Sequence, residues 1–253
     1  MDLLNDTDID AVSIVTPTFT HKKIVKDALL KGKDVLCEKP PALNATEVEE
    51  LAEVAKKSGR VLMFAFVCRF RSQIQLLKEY IDSGKMGKII NVTSFRIRRC
   101  DSTGGWFVNK SKSGGGPLID TNIHEIDSLM YLMGYPKPKS ILGFTSDLGK
   151  DLPAKIKGYN KGWISSDTNI YERDVENVAN AFITFENGTC MHISTSSILH
   201  SVTEGIYIEL CGEKAGVRLD RLENGIKLTM LDSNDGYFRE STPLIDDLDV
   251  FSE

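Results

Sequence analysis

Apolar positions in the first third of the chain switch between two periods. Ala11 to Val15 is a short, largely β-branched apolar run closed by Thr16-Pro17-Thr18, which reads as a strand ending in a turn. From His21 to Lys31 the apolar residues Ile24, Val25, Ala28 and Leu29 recur at helical spacing, and the pattern stops at Gly32. Asp34 to Cys37 is a second strand. Asn44 stands three residues before Glu47, as in a capping box, and opens a helix with Val48, Leu51, Ala52 and Ala55 on one face and Gly59 at its end. Val61 to Val67 is apolar throughout, the pattern of a strand covered on both faces. Strand–helix–strand–helix–strand at this spacing predicts right-handed parallel crossovers.

After Arg69 the pattern changes. Gln73 to Ile81 predicts one more helix, ending at Gly84, and Lys88 to Arg99 a long strand. A Gly- and Ser-rich loop over 102–116 leads into a helix expected to run from Pro117 to about Met133. Beyond it lie antiparallel strands, with a hairpin over Ala179 to Ile193 turning at Asn187-Gly188 and another pair joined by Gly212 to Gly216. The expectation is a parallel α/β piece followed by a predominantly antiparallel α+β domain, divided near residue 70. Three parallel strands are fewer than a doubly wound sheet usually holds. The acidic stretch Asp246 to Glu253 resembles the first turn of a helix whose remainder is missing. Both ends therefore predict a portion of a longer protein.

Composition narrows the function classes. The 253 residues carry a net charge of −5, and residues 232–253 alone hold seven acids against one Arg. Without a basic surplus to neutralise phosphates, a nucleic-acid partner is not expected. No apolar run approaches the ~20 residues of a membrane span, and no signal peptide is visible. Five scattered cysteines without a C-x-x-C pair predict a reducing, cytoplasmic setting and no metal site.

Three clusters could carry chemistry. Cys37-Glu38-Lys39-Pro40-Pro41 comes directly after a parallel strand, where open α/β sheets place ligands. Lys39 there could polarise a hydroxyl or, in an aldolase-like alternative, form a Schiff base; a plain exposed loop is the competing reading. Gly114-Gly-Gly-Pro-Leu-Ile-Asp120-Thr-Asn-Ile-His124-Glu-Ile-Asp127 sets Asp120, His124 and Asp127 at i, i+4 and i+7, one stripe of a continuous helix. An imidazole held by carboxylates suits proton transfer. The apolar residues Leu118, Ile119, Ile123, Ile126, Leu129 and Met130 should turn that stripe toward water or a cleft. A solvated polar face and a glycine-run phosphate site are the alternatives, the latter weakened by Asp120 in the first turn. Thr16-Pro17-Thr18-Phe-Thr-His21 is a third strand-end turn, suited to a cofactor or simply a cap. His192 and His200, on strand-like segments, read as structural.

Taken together, these motifs resemble the glucose-fructose oxidoreductase / inositol dehydrogenase (Gfo/Idh/MocA) family from about Leu3 to about Leu231. "DAVSIVTPTFTH" resembles the strand and turn beside the nicotinamide ribose, "GKDVLCEKPPA" the Glu-Lys-Pro signature, and "GGGPLIDTNIHEIDSLMYLMG" the glycine run and Asp-x-x-x-His helix. The resemblance implies a partial Rossmann domain over 1–69 lacking its first β-α-β unit, and an open-faced sheet domain over 70–253 that is incomplete at its C-terminus. It implies NAD or NADP as cofactor, oxidation of a secondary hydroxyl of a sugar, cyclitol or polyol, and a homo-oligomer formed through the open sheet. By resemblance, Lys39 contacts the reacting oxygen and the nicotinamide ribose, Asp120 binds substrate, and His124 moves the hydroxyl proton. Thr16, Pro17, Thr18, His21, Glu38 and Arg69 then lie on the cofactor side, and Trp106 is a substrate wall. Lys39, Asp120 and His124 are expected to share one cleft. Asn122 departs from the family's usual Gly. No G-x-G-x-x-G stands after an initial strand, so weak dinucleotide binding by these 253 residues is expected, with a non-catalytic interaction module as the alternative function.

Overall fold

The computed structural model describes residues 2–99, 104–147, 173–222, 225–234 and 236–243. These form two compact units. Among the described residues, the first gathers 2–66, 104–120 and 173–175, and the second holds 67–99 and those from 121 onward apart from 173–175. The acidic stretch 246–253 lies outside the described residues.

The first unit opens with β1 (Ala11–Ile14), α1 (Thr18–Leu30), β2 (Asp34–Cys37), α2 (Ala45–Ser58) and β3 (Leu62–Phe64). The strands pair in parallel in the order β1-β2-β3, with Val12 beside Val35 beside Leu62 and Ile14 beside Cys37 beside Phe64. These rows and Val25, Ala28, Leu29 and Leu51 from the two helices make one core. Helix α2 begins as its capping residues predict: Asn44 accepts from Glu47 N at 3.0 Å, while Glu47 Oε2 reaches back to Leu43 N at 3.1 Å. Gly59 ends it in the left-handed conformation. Ala52, expected on the buried face, is exposed. Buried Lys33 donates to the carbonyls of Asp6 and Ile9, each at 2.6 Å, and ties down the segment leading into β1.

The expected third strand is corrected in length and in surroundings. It ends at Phe64, and Val67–Phe70 forms a 3₁₀ turn. Val61 is 63% exposed and Met63 44%, as is Leu36 beside it at 42%. Two successive right-handed crossovers place both helices on one side of the sheet, which leaves these side chains of the opposite face exposed.

The second unit continues with α3 (Ser72–Asp82) and β4 (Ile89–Ile97). The chain then contributes α4 (Lys110–Ser113) and α5 (Pro117–Asp120) to the first unit. It returns through α6 (Ile123–Leu132), β5 (Pro138–Ser146), β6 (Val178–Phe185), β7 (Cys190–Ser196), β8 (Gly205–Gly212), β9 (Ala215–Leu222), β10 (Gly225–Asn234) and β11 (Tyr237–Ser241). The strands form an eight-stranded sheet in the order β11-β10-β9-β8-β4-β7-β6-β5. Among the described residues the β4–β7 pair is parallel and every other pair antiparallel. Val92, Met191, Ile208, Leu210 and Val217 are buried in this unit's core. The hairpin turn after β6 uses Gly188 at φ +88, with Gly188 N bonded to Phe185 O at 3.0 Å.

Candidate active site

Two turns leave the carboxyl ends of β1 and β2, as parallel strands require. At the first, the hydroxyls of Thr16 and Thr20 lie 2.6 Å apart and Thr20 also donates to Pro17 O at 2.7 Å. Thr18 is buried where α1 begins. At the second, Lys39 N donates to Glu38 Oε2 at 3.1 Å, and the Lys39–Pro40 peptide is cis. His21, 1% exposed, lies between the turns: its Nδ1 is 2.9 Å from Pro40 O and its Nε2 2.7 Å from Thr16 O. Just upstream, burial pushes the Cys37 thiol up to about 12, which keeps it protonated and unreactive.

Lys39 reaches across to the glycine-run segment. Its ammonium donates to Asp120 O at 2.6 Å and to Asp120 Oδ1 at 3.2 Å, with the two side chains 18% and 17% exposed. Gly114 permits this approach. It ends α4 at φ +86, and a Cβ on it would stand 2.7 Å from Leu43 O, a few residues beyond Lys39. Gly115 and Gly116 are buried. Gly115 O accepts from Ser113 Oγ, and Gly116 O from the amides of Ile119 and Asp120. Gly114 thus serves close backbone packing, and the single turn of α5 presents a carboxylate, which opposes a phosphate. Trp106 lies in the 3₁₀ turn Gly105–Val108, its ring stacked on Phe107 with centroids 3.9 Å apart.

The continuous helix expected from Pro117 to Met133 is broken. Thr121 and Asn122 form a turn between α5 and α6, and Asp120 and His124 fall in different units. Of the expected stripe, His124 and Asp127 share α6 three residues apart, while Asp120 belongs to α5 and not to that helix. Nor does the polar side of α6 face water: Glu125 is 6% and Asp127 8% exposed. Each has a partner that keeps it buried. Arg69 grips Asp127 with two guanidinium nitrogens, Nε to Oδ2 at 2.7 Å and Nη2 to Oδ1, and its guanidinium lies 5.9 and 5.6 Å from the ring centroids of Tyr131 and Tyr135. The Asp127 carboxylate raises the Arg69 guanidinium above its ordinary value. Arg96 of β4 donates to Glu125 Oε1 at 3.1 Å, and Arg221 of β9 approaches the same oxygen at 3.6 Å. Ser94 Oγ donates to buried Asn122 Oδ1 at 3.0 Å. Half-buried His124 is thus flanked along the chain by three anchored residues, and Ser128 Oγ donates to its carbonyl at 2.8 Å. His124, Glu125, Arg71 and Arg221 border a small cavity of about 20 Å³, room for about one water. Reading the sequence missed Ser94, Arg96, Glu125 and Arg221. The signal was there: Ser94 and Arg96 interrupt an apolar strand at alternate positions, on the face that carries Val92. His192 on β7 and His200 are exposed rather than structural.

A parallel α/β unit with a cation–carboxylate pair at its strand ends is followed by a mostly antiparallel eight-stranded sheet unit. Residues 1–66 match the "oxidoreductase family, NAD-binding Rossmann fold" and residues 74–218 the "GFO/IDH/MocA C-terminal domain". The chain belongs to the GFO/IDH/MocA family. It is 36% identical over 212 residues to D-glucoside 3-dehydrogenase of Escherichia coli (strain K12), covering 83% of this chain and 58% of that protein. It is 36% identical over 133 residues to the NAD(+)-dependent scyllo-inositol 2-dehydrogenase of Bacillus subtilis (strain 168), covering 53% of this chain and 38% of that one. Levoglucosan dehydrogenase in complex with NADH and L-sorbose shares the fold, with a TM-score of 0.78 at 24% identity over 96% of this chain and 63% of that one. The chain thus spans less than two thirds of the length of these relatives.

Proposed function

We propose that this chain is the catalytic portion of an NAD(P)-dependent dehydrogenase that oxidises a secondary hydroxyl of a sugar, cyclitol or related polyol. The contact that carries the reading is the Lys39 ammonium on the carbonyl and carboxylate of Asp120. The residues present suit the nicotinamide half of the cofactor. Two uncharged hydroxyl-bearing residues, Thr16 and Thr20, and one cation stand at the carboxyl ends of parallel strands, the ligand-binding edge of an open α/β sheet. When bound, the nicotinamide supplies the hydride acceptor. Lys39 donates a hydrogen bond to the substrate oxygen and stabilises negative charge as it develops there. Asp120 holds Lys39 as an ammonium aimed at that oxygen and accepts from a substrate hydroxyl. His124 takes the hydroxyl proton as the C–H electron pair leaves, so the carbinol becomes a carbonyl with one proton on the imidazole. A lysine held as an ion pair is a poor amine nucleophile, which disfavours the Schiff-base alternative. The retained Lys39–Asp120 pair likewise speaks against a purely non-catalytic module.

The test is steady-state reduction of NAD and NADP by a panel of glucosides, inositols and anhydrosugars, measured on the full-length protein. Lys39→Met and His124→Gln should each lower turnover by roughly 10²–10⁴-fold. Full activity in both variants, or a substrate adduct trapped on Lys39 by borohydride, would overturn the assignment.

Self-association through the open face of the large sheet belongs to the same reading. Phe95 stacks on Tyr207 with centroids 4.8 Å apart, Arg218 lies over Tyr207, and Phe182 is 46% exposed. A monomeric sedimentation profile would refute it. Four unpaired cysteines among the described residues suit a cytoplasmic setting, and no helix there is long and apolar enough to cross a membrane.

A further inference from the structure

Both ring nitrogens of His21 face main-chain carbonyl oxygens, Pro40 O at 2.9 Å and Thr16 O at 2.7 Å. At 1% exposure the ring has no access to bulk water. A carbonyl oxygen can only accept, whereas a neutral imidazole carries one N–H and one lone pair. A neutral His21 would therefore press a lone pair against a carbonyl lone pair at one of these two short distances, with both groups desolvated. Turning the ring over exchanges nitrogen for carbon at both contacts and gives each carbonyl a C–H in place of an N–H.

We propose that His21 is held as the doubly protonated imidazolium, a buried cation whose two N–H groups clasp the Thr16 turn to the Lys39–Pro40 turn. Two charge-assisted hydrogen bonds, each stronger than a neutral one, offset the desolvation of the charge. The nearby carboxylates have other partners. Glu47 and Glu50 of α2 pair with Lys22 at 3.9 and 2.9 Å, Glu38 accepts from Lys39 N, and Asp120 holds the Lys39 ammonium. The carbonyls of the two turns thus stabilise the imidazolium, and the turns in turn are fixed by it. By holding Pro40 O, His21 fixes the Pro40–Pro41 peptide, one residue beyond Lys39, and so restrains the turn from which the Lys39 ammonium reaches Asp120. His21 is a positioning residue: its sealed ring acts on the cofactor side through the two turns it joins. Only the consequence for turnover rests on the dehydrogenase reading; the protonation state and the clasp do not.

The test is imidazole nitrogen NMR on the ¹⁵N-labelled full chain, which has four histidines, His21, His124, His192 and His200. At neutral pH one histidine should show two protonated ring nitrogens, each with a slowly exchanging attached proton. That signal should survive in H124Q, H192Q and H200Q and vanish in H21Q. If H21Q fails to fold, the other three variants still assign the signal by elimination. A ring nitrogen of His21 without an attached proton at neutral pH would overturn the proposal. In folded H21Q, the Leu43 amide, which donates to Glu47 beyond the clasped turn, should exchange about tenfold faster or more, the loss of roughly one charged hydrogen bond. Unchanged exchange there would remove the positioning role. Both readouts stand even if polyol oxidation is not found, so failure of the clasp and failure of the dehydrogenase reading are distinguishable.

Discussion

Replacing Gly114 by alanine should loosen the joint between the Lys39 turn and the glycine run, and the cost can be split into two parts. Gly114 has φ +86 and ψ −23, so an L side chain there carries about 1–2 kcal/mol of left-handed strain. The added methyl would also stand 2.7 Å from Leu43 O and 3.2 Å from Leu43 Cα, against 3.4 Å or more for an ordinary contact. Those are backbone atoms, so the Leu43 segment itself must retreat by more than half an ångström, an overpacking cost of about 1–3 kcal/mol. The total is about 2–5 kcal/mol. Gly59→Ala is the matched control: it is also left-handed, at φ +66, but nothing lies within 4 Å of its Cβ, so it should cost about 1–2 kcal/mol. Urea unfolding followed by tryptophan fluorescence, with Trp106 in the same unit as both glycines, measures the difference. If the two variants lose equal stability, the close approach of Gly114 to Leu43 has no energetic consequence and the role given to the glycine run is wrong.

Arg69→Leu should cost about 3 kcal/mol by leaving the buried Asp127 carboxylate unpaired, while adding Asp127→Leu should recover much of that loss; a double variant no more stable than the single would contradict the pairing. Cys37 should make the protein alkali-sensitive. Its thiol rises from 9.0 to about 12 on folding, so its contribution is intact below 9 and is lost as pH climbs toward 12, at about 1.4 kcal/mol per pH unit. Between pH 8 and pH 10 the wild type should therefore lose about 1.4 kcal/mol more than Cys37→Ala. Parallel denaturant titrations that fall together would refute this.

The features that could be read directly from the sequence are local or periodic. The strand–helix rhythm from Ala11 to Phe64, the Asn44 cap, the Gly59 stop and the turn at Gly188 each depend on neighbouring residues, and the structure shows all of them. The Glu-Lys-Pro and Asp-x-x-x-His motifs were legible for the same reason. Other features required the tertiary structure. Periodicity made Pro117 to Met133 one helix, but Thr121 and Asn122 form a turn between α5 and α6. Asp120 is grouped with Lys39 in one unit and His124 lies in α6 of the other, where Asn122 accepts from Ser94. Hydropathy turned the polar side of α6 toward water or a cleft, yet Glu125 and Asp127 are buried against Arg69, Arg96 and Arg221. A buried carboxylate is tolerable only beside a cation, and these cations lie 29 to 96 residues away in sequence. His21 shows the same division. Its place after a strand-end turn is plain in the sequence, but its two carbonyl partners, one of them 19 residues away, meet the ring only because β1 and β2 pair in parallel and end side by side. Local propensity depends on adjacent residues, whereas the pairing of charges and buried polar groups depends on which distant segments the sheet brings together.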